Sequence, residues 1–328
     1  MRRSLIAGAL ALPLIAVLGS PLAAEVKTRE KTQIKFEGML GRVVGMFGGK
    51  AAKEGIVSTT AVKGNRKATL NDNTGQIIDL GEEKLYEIDF KKKQYQVTTF
   101  EEMRRRMKEA QEKAKEDVAR AEGQKEEAKP EEPRKEWEVD FEAKETGQRR
   151  QIAGHDARQV IMTTTVREKG KALEDGGGFV MTADSWLGPE IASLKELSDF
   201  DLRYYKQLYG ADALGLAAEQ VAMVMAMYPM FQQASERLKQ EGDKLKGTPL
   251  ATTTTFEAVK SKAQMAEAAN QSNSGGGGLG GMLARKMIKK GETTQRGTIF
   301  TAQHEFQEVS AAVAGTDLDI PAGFKEKK

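Results

Sequence analysis

The chain has 328 residues, with 51 lysines and arginines against 48 aspartates and glutamates, two histidines and no cysteine. Without cysteine, disulfides, thiolate metal sites and a lipid-modified amino-terminal cysteine are excluded. The near balance of charge excludes a general nucleic-acid binder, which carries a marked basic excess, and no nucleic-acid partner is expected.

Met1 to Ala24, "MRRSLIAGALALPLIAVLGSPLAA", places Arg2 and Arg3 before an apolar run and ends in small residues, the tripartite form of a secretory signal. The run from Leu5 to Leu18 falls short of the roughly 20 residues needed to cross a bilayer. Cleavage near Ala24 and a periplasmic location are therefore expected, with residues 25–328 forming a single α+β domain. An exported protein without disulfides must hold itself together by packing.

Lys31 to Glu37 and Val57 to Leu70 read as strands joined through a glycine-rich segment. In "QIIDLGEEKLYEIDFKKKQYQVTTFEEM", residues 76–103, Tyr86, Ile88 and Phe90 share one parity, and Tyr95, Val97 and Thr99 another across a polar turn. That alternation predicts an antiparallel hairpin with one face buried. It recurs at Trp137–Phe141, Arg158–Val166, Phe179–Ala183, Leu250–Phe256 and Phe300–Phe306. The expected fold is a curved, mostly antiparallel sheet, an open half-barrel, wrapping around or packed on helices, with one polar face.

Two insertions interrupt the sheet. The first, at about 101–136, starts as a helix whose apolar stripe, Phe100, Met103 and Met107, thins to alanine. Beyond it Glu101/Arg105, Glu102/Arg106, Glu109/Lys113 and Glu116/Arg120 are i,i+4 pairs in the favourable order. From Gly123 the run "GQKEEAKPEEPRKE" predicts a disordered return. The second insertion, at about 263–292, holds "SGGGGLGG", whose match to a dinucleotide fingerprint is trivial in a glycine run. After it Leu279, Met282, Leu283 and Met287 interleave with Arg285, Lys286, Lys289 and Lys290. These eight residues are candidates for contact with an anionic membrane surface.

Between the insertions a helical block runs from about Pro189 to Leu245, interrupted at Gly210. Its second half places Leu214, Ala217, Val221, Val224, Tyr228 and Phe231 along one face, with Met227 beside it; this face either plugs the concave side of the sheet or lines an apolar cavity, for which Val221, Val224, Met227, Tyr228 and Phe231 are the candidate lining. Met223, Met225 and Met230 widen that face, Met225 projecting away from Met223 and Met227.

No catalytic constellation is visible. His155 lies beside Asp156 with no nucleophile motif, and His304 shares strand parity with Phe300 and Phe306, which predicts a core residue. No enzyme activity, cofactor or metal is expected.

The blocks "GQIIDLGEEKLYEIDFKKKQYQVTTFEEM", "GHDARQVIMT", "GGFVMTADSWLGPEI" and "DIPAGFKEKK" resemble a family of exported bacterial proteins of uncharacterised function. More distantly, the strand order is similar to that of periplasmic lipoprotein carriers such as LolA and LppX. That resemblance implies a curved sheet around helices and an apolar cavity, and it supplies no functional residues. The leading expectation is a non-enzymatic periplasmic binding protein for an apolar ligand, a lipid or the acyl chain of a lipidated protein. The alternative is an interaction or scaffold protein of the envelope, using the charged helix and the basic glycine-tethered segment against an envelope protein or an anionic membrane.

Overall fold

The computed structural model describes residues 25–37, 54–122, 136–210, 236, 239–273 and 295–327. The signal sequence, the segment after Glu37, the return from Gly123, the methionine-rich face with Val221, Val224, Met227, Tyr228 and Phe231, and the basic segment from Leu279 to Lys290 lie outside the described residues.

The fold is mixed α and β and mostly sheet. Twelve strands form one open sheet: β1 (Glu25–Phe36), β2 (Ile56–Lys63), β3 (Arg66–Asn71), β4 (Thr74–Asp79), β5 (Lys84–Asp89), β6 (Gln94–Thr99), β7 (Trp137–Ile152), β8 (His155–Glu168), β9 (Gly178–Gly188), β10 (Thr248–Val259), β11 (Arg296–Ser310) and β12 (Lys325–Glu326). Their spatial order is β12-β6-β5-β4-β3-β2-β1-β11-β10-β9-β8-β7. Every pairing is antiparallel except β12 with β6. Two meanders, β1–β6 and β7–β11, meet where β1 pairs with β11, so one strand pair of large sequence separation joins the two halves.

Four α-helices accompany the sheet among the described residues: α1 (Phe100–Glu122), α2 (Leu173–Gly176), α3 (Lys195–Tyr209) and α4 (Lys262–Asn273). α1 begins where β6 ends; its first residue, Phe100, is fully buried, and Met103 and Met107 pack beside it. From Lys108 to Asp117 every side chain is exposed. α3 stops at Gly210, whose φ of 87° is a conformation that side-chain-bearing residues rarely adopt. α4 opens with a reciprocal cap: the Gln264 backbone N–H donates to Ser261 Oγ at 3.2 Å, and the Ser261 N–H donates to Gln264 Oε1 at 2.9 Å.

The expectation of one apolar and one polar face is corrected in the first half of the sheet. On one face Val26, Val62, Ile78 and Leu85 pack against Phe100, Phe200 and Leu208 of α1 and α3. On the other, Ala61, Ala68, Ile77, Tyr86 and Ile88 pack against Val313, Leu318, Ile320 and Phe324 of the carboxy-terminal segment. The strands thus lie between two layers, which is why "QIID" and "LYEID" are apolar on both parities. The carboxy-terminal strap is anchored by Lys27 to Asp317 at 2.7 Å and by Arg66 to Asp319 at 3.1 Å. Burial pushes the Asp317 carboxyl up, but the Lys27 ammonium and the Ala314 N–H outweigh it and hold it below the ordinary value. The strap ends alongside β6, where Lys325 N–H donates to Lys93 O and Lys327 N–H to Tyr95 O.

Candidate functional site

The cross-strand register carries the helix-bearing face from the first half of the sheet into the second. On β1 that face presents Val26, Thr28, Glu30, Thr32, Ile34 and Phe36. Across the shared ladder Ile34 opposes Ala302 and Phe36 opposes Phe300; Phe300 opposes Phe256, which opposes Met181. A helix or turn covers this face at Val26 and Val62, and Leu245 covers it again at Val160 and Leu187. Away from these covers, the far ends of β9, β1 and β2 keep large apolar side chains exposed on this face.

There an apolar strip crosses the sheet. Phe179 stacks on Phe256 with ring centroids 5.6 Å apart and planes 9° apart. Phe256 stacks on Phe300 at 5.5 Å, and Phe300 meets Phe36 at 6.2 Å, tilted by 53°. Four phenylalanines on four adjacent strands therefore form one continuous ladder. Met181, Ile34 and Ile56 border it; Phe36 is 36% exposed, Phe179 and Met181 40%, Ile56 47% and Ile34 48%. With strands about 4.8 Å apart, the strip from β9 to β2 is about 20 Å long. Large apolar side chains scattered singly over a surface need no explanation, but a contiguous row of them does.

Strand alternation placed Phe179, Met181, Phe256 and Phe300 on an apolar parity, but the sequence alone did not show that this face continues across β11 into β1 and β2. The β1–β11 pairing decides it, because a slip of one residue would turn Ile34 and Phe36 to the opposite face.

His304 stands on this face, as its parity predicts, but it is not a core residue. Its side chain is 36% exposed, its Nε2 lies 2.8 Å from Glu30 Oε2, and its ring meets Phe306 edge-on at 4.9 Å. The face it occupies is not enclosed by any described residue, so the imidazole has both solvent and a carboxylate partner. His155 opens β8 opposite Ile152, and as neighbours on a strand it and Asp156 point to opposite faces. Among the described residues no group of three or more histidines or carboxylates is arranged to hold a metal ion, and no helix is long and apolar enough to cross a membrane.

Set against family models, curated proteins and solved structures, the chain matches none.

Proposed function

We propose that this is a non-enzymatic, exported binding protein for an apolar ligand, and that the ligand is an acyl chain of a lipid or lipidated protein lying along the phenylalanine ladder. The observation that carries this reading is the ladder itself, Phe179–Phe256–Phe300–Phe36, with its exposed aliphatic border. A flexible hydrocarbon chain suits a narrow, flat, uncharged track, and each methylene moved from water onto it contributes up to about 0.8 kcal/mol. Thr32, Ser58, Thr252 and Thr254 bound the strip on the side of the covering helices, so the apolar track has a defined limit. The amino-terminal Met1–Ala24, read as an export signal, accords with this proposal. In this reading the basic, apolar sequence from Leu279 to Lys290 meets the membrane from which the ligand comes.

Binding of a fluorescent fatty acid to the wild type, lost in the double variant Phe36→Gln/Phe179→Gln while the circular dichroism spectrum is unchanged, is the expected result. Both positions are exposed, so the fold tolerates the change. Absence of binding to the wild type at micromolar probe, or binding that the double variant leaves intact, would overturn the proposal. A dimer that the same variant dissociates, without fatty-acid uptake, would assign the ladder to a second copy of the chain instead.

The envelope-scaffold reading is favoured by one observation, the run of exposed side chains along α1 from Lys108 to Asp117. It predicts a co-purifying protein whose association is lost when residues 108–122 are deleted and kept when Phe36 and Phe179 are replaced.

A further inference from the structure

A groove of about 850 Å³ lies on the helix-bearing face at the other end of the sheet, between α3 and the hairpins of β3–β6. Its lining is unlike that of the ladder. Thr69, Gln76, Glu87 and Gln96 are successive cross-strand partners on β3, β4, β5 and β6, so they form one row across the floor. At the strand spacing of about 4.8 Å this row is about 15 Å long. Thr74, Asp89 and Gln94 form a second, parallel row. The wall is α3, with Asp201, Tyr204 and Tyr205 facing the groove; Tyr204 and Tyr205 meet at 5.6 Å, and Tyr205 is 50% exposed.

The charges in this groove balance. Lys67, Lys92 and Lys327 stand against Glu87, Asp89 and Asp201. Lys67 is bound to Asp201 at 2.7 Å and Lys92 to Asp89 at 3.2 Å, so two of the three cations are neutralised in place. The Lys92 N–H and ammonium also hold the Asp89 carboxyl below its ordinary value. A groove without a net field does not select an ion. What it offers is the amides of Gln76, Gln94 and Gln96, which donate and accept, the hydroxyl of Thr74, and the exposed Glu87 carboxylate as an acceptor.

We propose that this groove binds a short, uncharged oligosaccharide. A pyranose chain presents hydroxyls that both donate and accept along its edges, matching the two rows of amides, hydroxyls and carboxylates. It also presents an apolar C–H face, which the tyrosine rings of the wall are placed to cover. The volume lies in the range of small-ligand sites. An acyl chain is disfavoured because burying the amides and Glu87 against it would leave them unpaired. An extended peptide adding to the sheet is disfavoured because the β6 edge at Gln94 and Tyr95 is already taken by β12. The site shares no residue with the phenylalanine ladder, so the two proposals stand or fall separately.

The test titrates the full mature chain with cellotetraose, maltotetraose and chitotetraose at millimolar concentration, following amide shifts by NMR. Binding of at least one of them is expected, with Tyr205→Ala and Gln96→Ala each weakening it by about tenfold or more at unchanged melting temperature. Both side chains are exposed, so neither change threatens the fold. Failure of all three saccharides to shift groove amides would overturn the proposal, as would binding that neither variant weakens. Displacement of a bound saccharide by a short neutral peptide of equal affinity would likewise reject an oligosaccharide site.

Discussion

Thr28 is 1% exposed on the helix-bearing face of β1, and its Oγ1 finds no hydrogen-bond partner. A buried hydroxyl without a partner carries an unrecovered desolvation cost. Thr28→Val retains the β-branched shape and removes that cost, so it is expected to stabilise the protein by about 1 kcal/mol. A urea melt checks this: the midpoint should rise with the slope unchanged. A fall in the midpoint would mean that the hydroxyl is satisfied in solution. Tyr86 shows the opposite case two strands from the edge. Burial and the Glu82 carboxylate, which accepts its hydroxyl hydrogen at 2.7 Å, push the phenol up to about 12. Its ring fills the layer beneath the sheet while its oxygen is paired at the rim.

At the scale of elements, three successive turns of the first meander are built alike. Asn71 Oδ1 accepts from the N–H groups of Asn73 and Thr74, Asp79 Oδ1 from Gly81 and Glu82, and Asp89 Oδ1 from Lys92. The side chain mimics a backbone turn and frees the chain to reverse. In the latter two turns the residue four positions on, Glu83 or Lys93, takes a φ of 51°. "IDLGEEK" and "IDFKKKQ" are thus one structural unit used twice, a turn that accounts for the recurrence of the motif. The two aspartates differ in what else they hold. Asp79 is 7% exposed and its Oδ2 lies 3.1 Å from Arg66 Nε, whereas Asp89 pairs with Lys92 at the surface. Asp79→Ala is expected to cost about 3 kcal/mol because it leaves two N–H groups without their acceptor and Arg66 with Asp319 alone, and Asp89→Ala about 1 kcal/mol. Equal costs in denaturant melts would show that the Arg66 pair contributes nothing beyond the turn.

For the whole molecule, the two halves of the sheet are closed by different means. The first is a three-layer sandwich of helix, sheet and carboxy-terminal strap; in the second, among the described residues, part of the helix-bearing face stays exposed. Truncation after Ser310 would expose Ala61, Ala68, Ile77, Tyr86 and Ile88 together. Losing one layer over a row of buried strands removes several times the burial of a single core side chain, each worth about 1.5–3 kcal/mol, against a net stability of about 5–15 kcal/mol. The truncated chain is therefore expected to bind ANS and to lose its near-ultraviolet circular dichroism. A cooperative melt retained at the wild-type temperature would show that the strap is ornamental.

The sequence by itself determined that the chain is mostly antiparallel strand, the hairpin of β5 and β6, the helix starting at Phe100 and the helix stop at Gly210, while Val57–Leu70, read as one strand, is the hairpin of β2 and β3. Period-two alternation, turn residues and a left-handed glycine are local signals, set by the geometry of a few neighbouring residues. His304 was placed on the right face by the same logic and misjudged in burial, because parity reports a direction and not what lies above it. Three features depended on tertiary structure alone. The pairing of β1 with β11 joins residues more than two hundred positions apart and aligns the phenylalanines into a ladder. The strap from Val313 to Phe324 turns a half-buried sheet into a sandwich, although "DIPAGFKEKK" has no periodicity of its own. The polar groove exists only because α3 returns over β3–β6, bringing Tyr204 and Tyr205 beside Gln76, Gln94 and Gln96. Each is a contact between distant segments, specified by complementary surfaces and not by any local period.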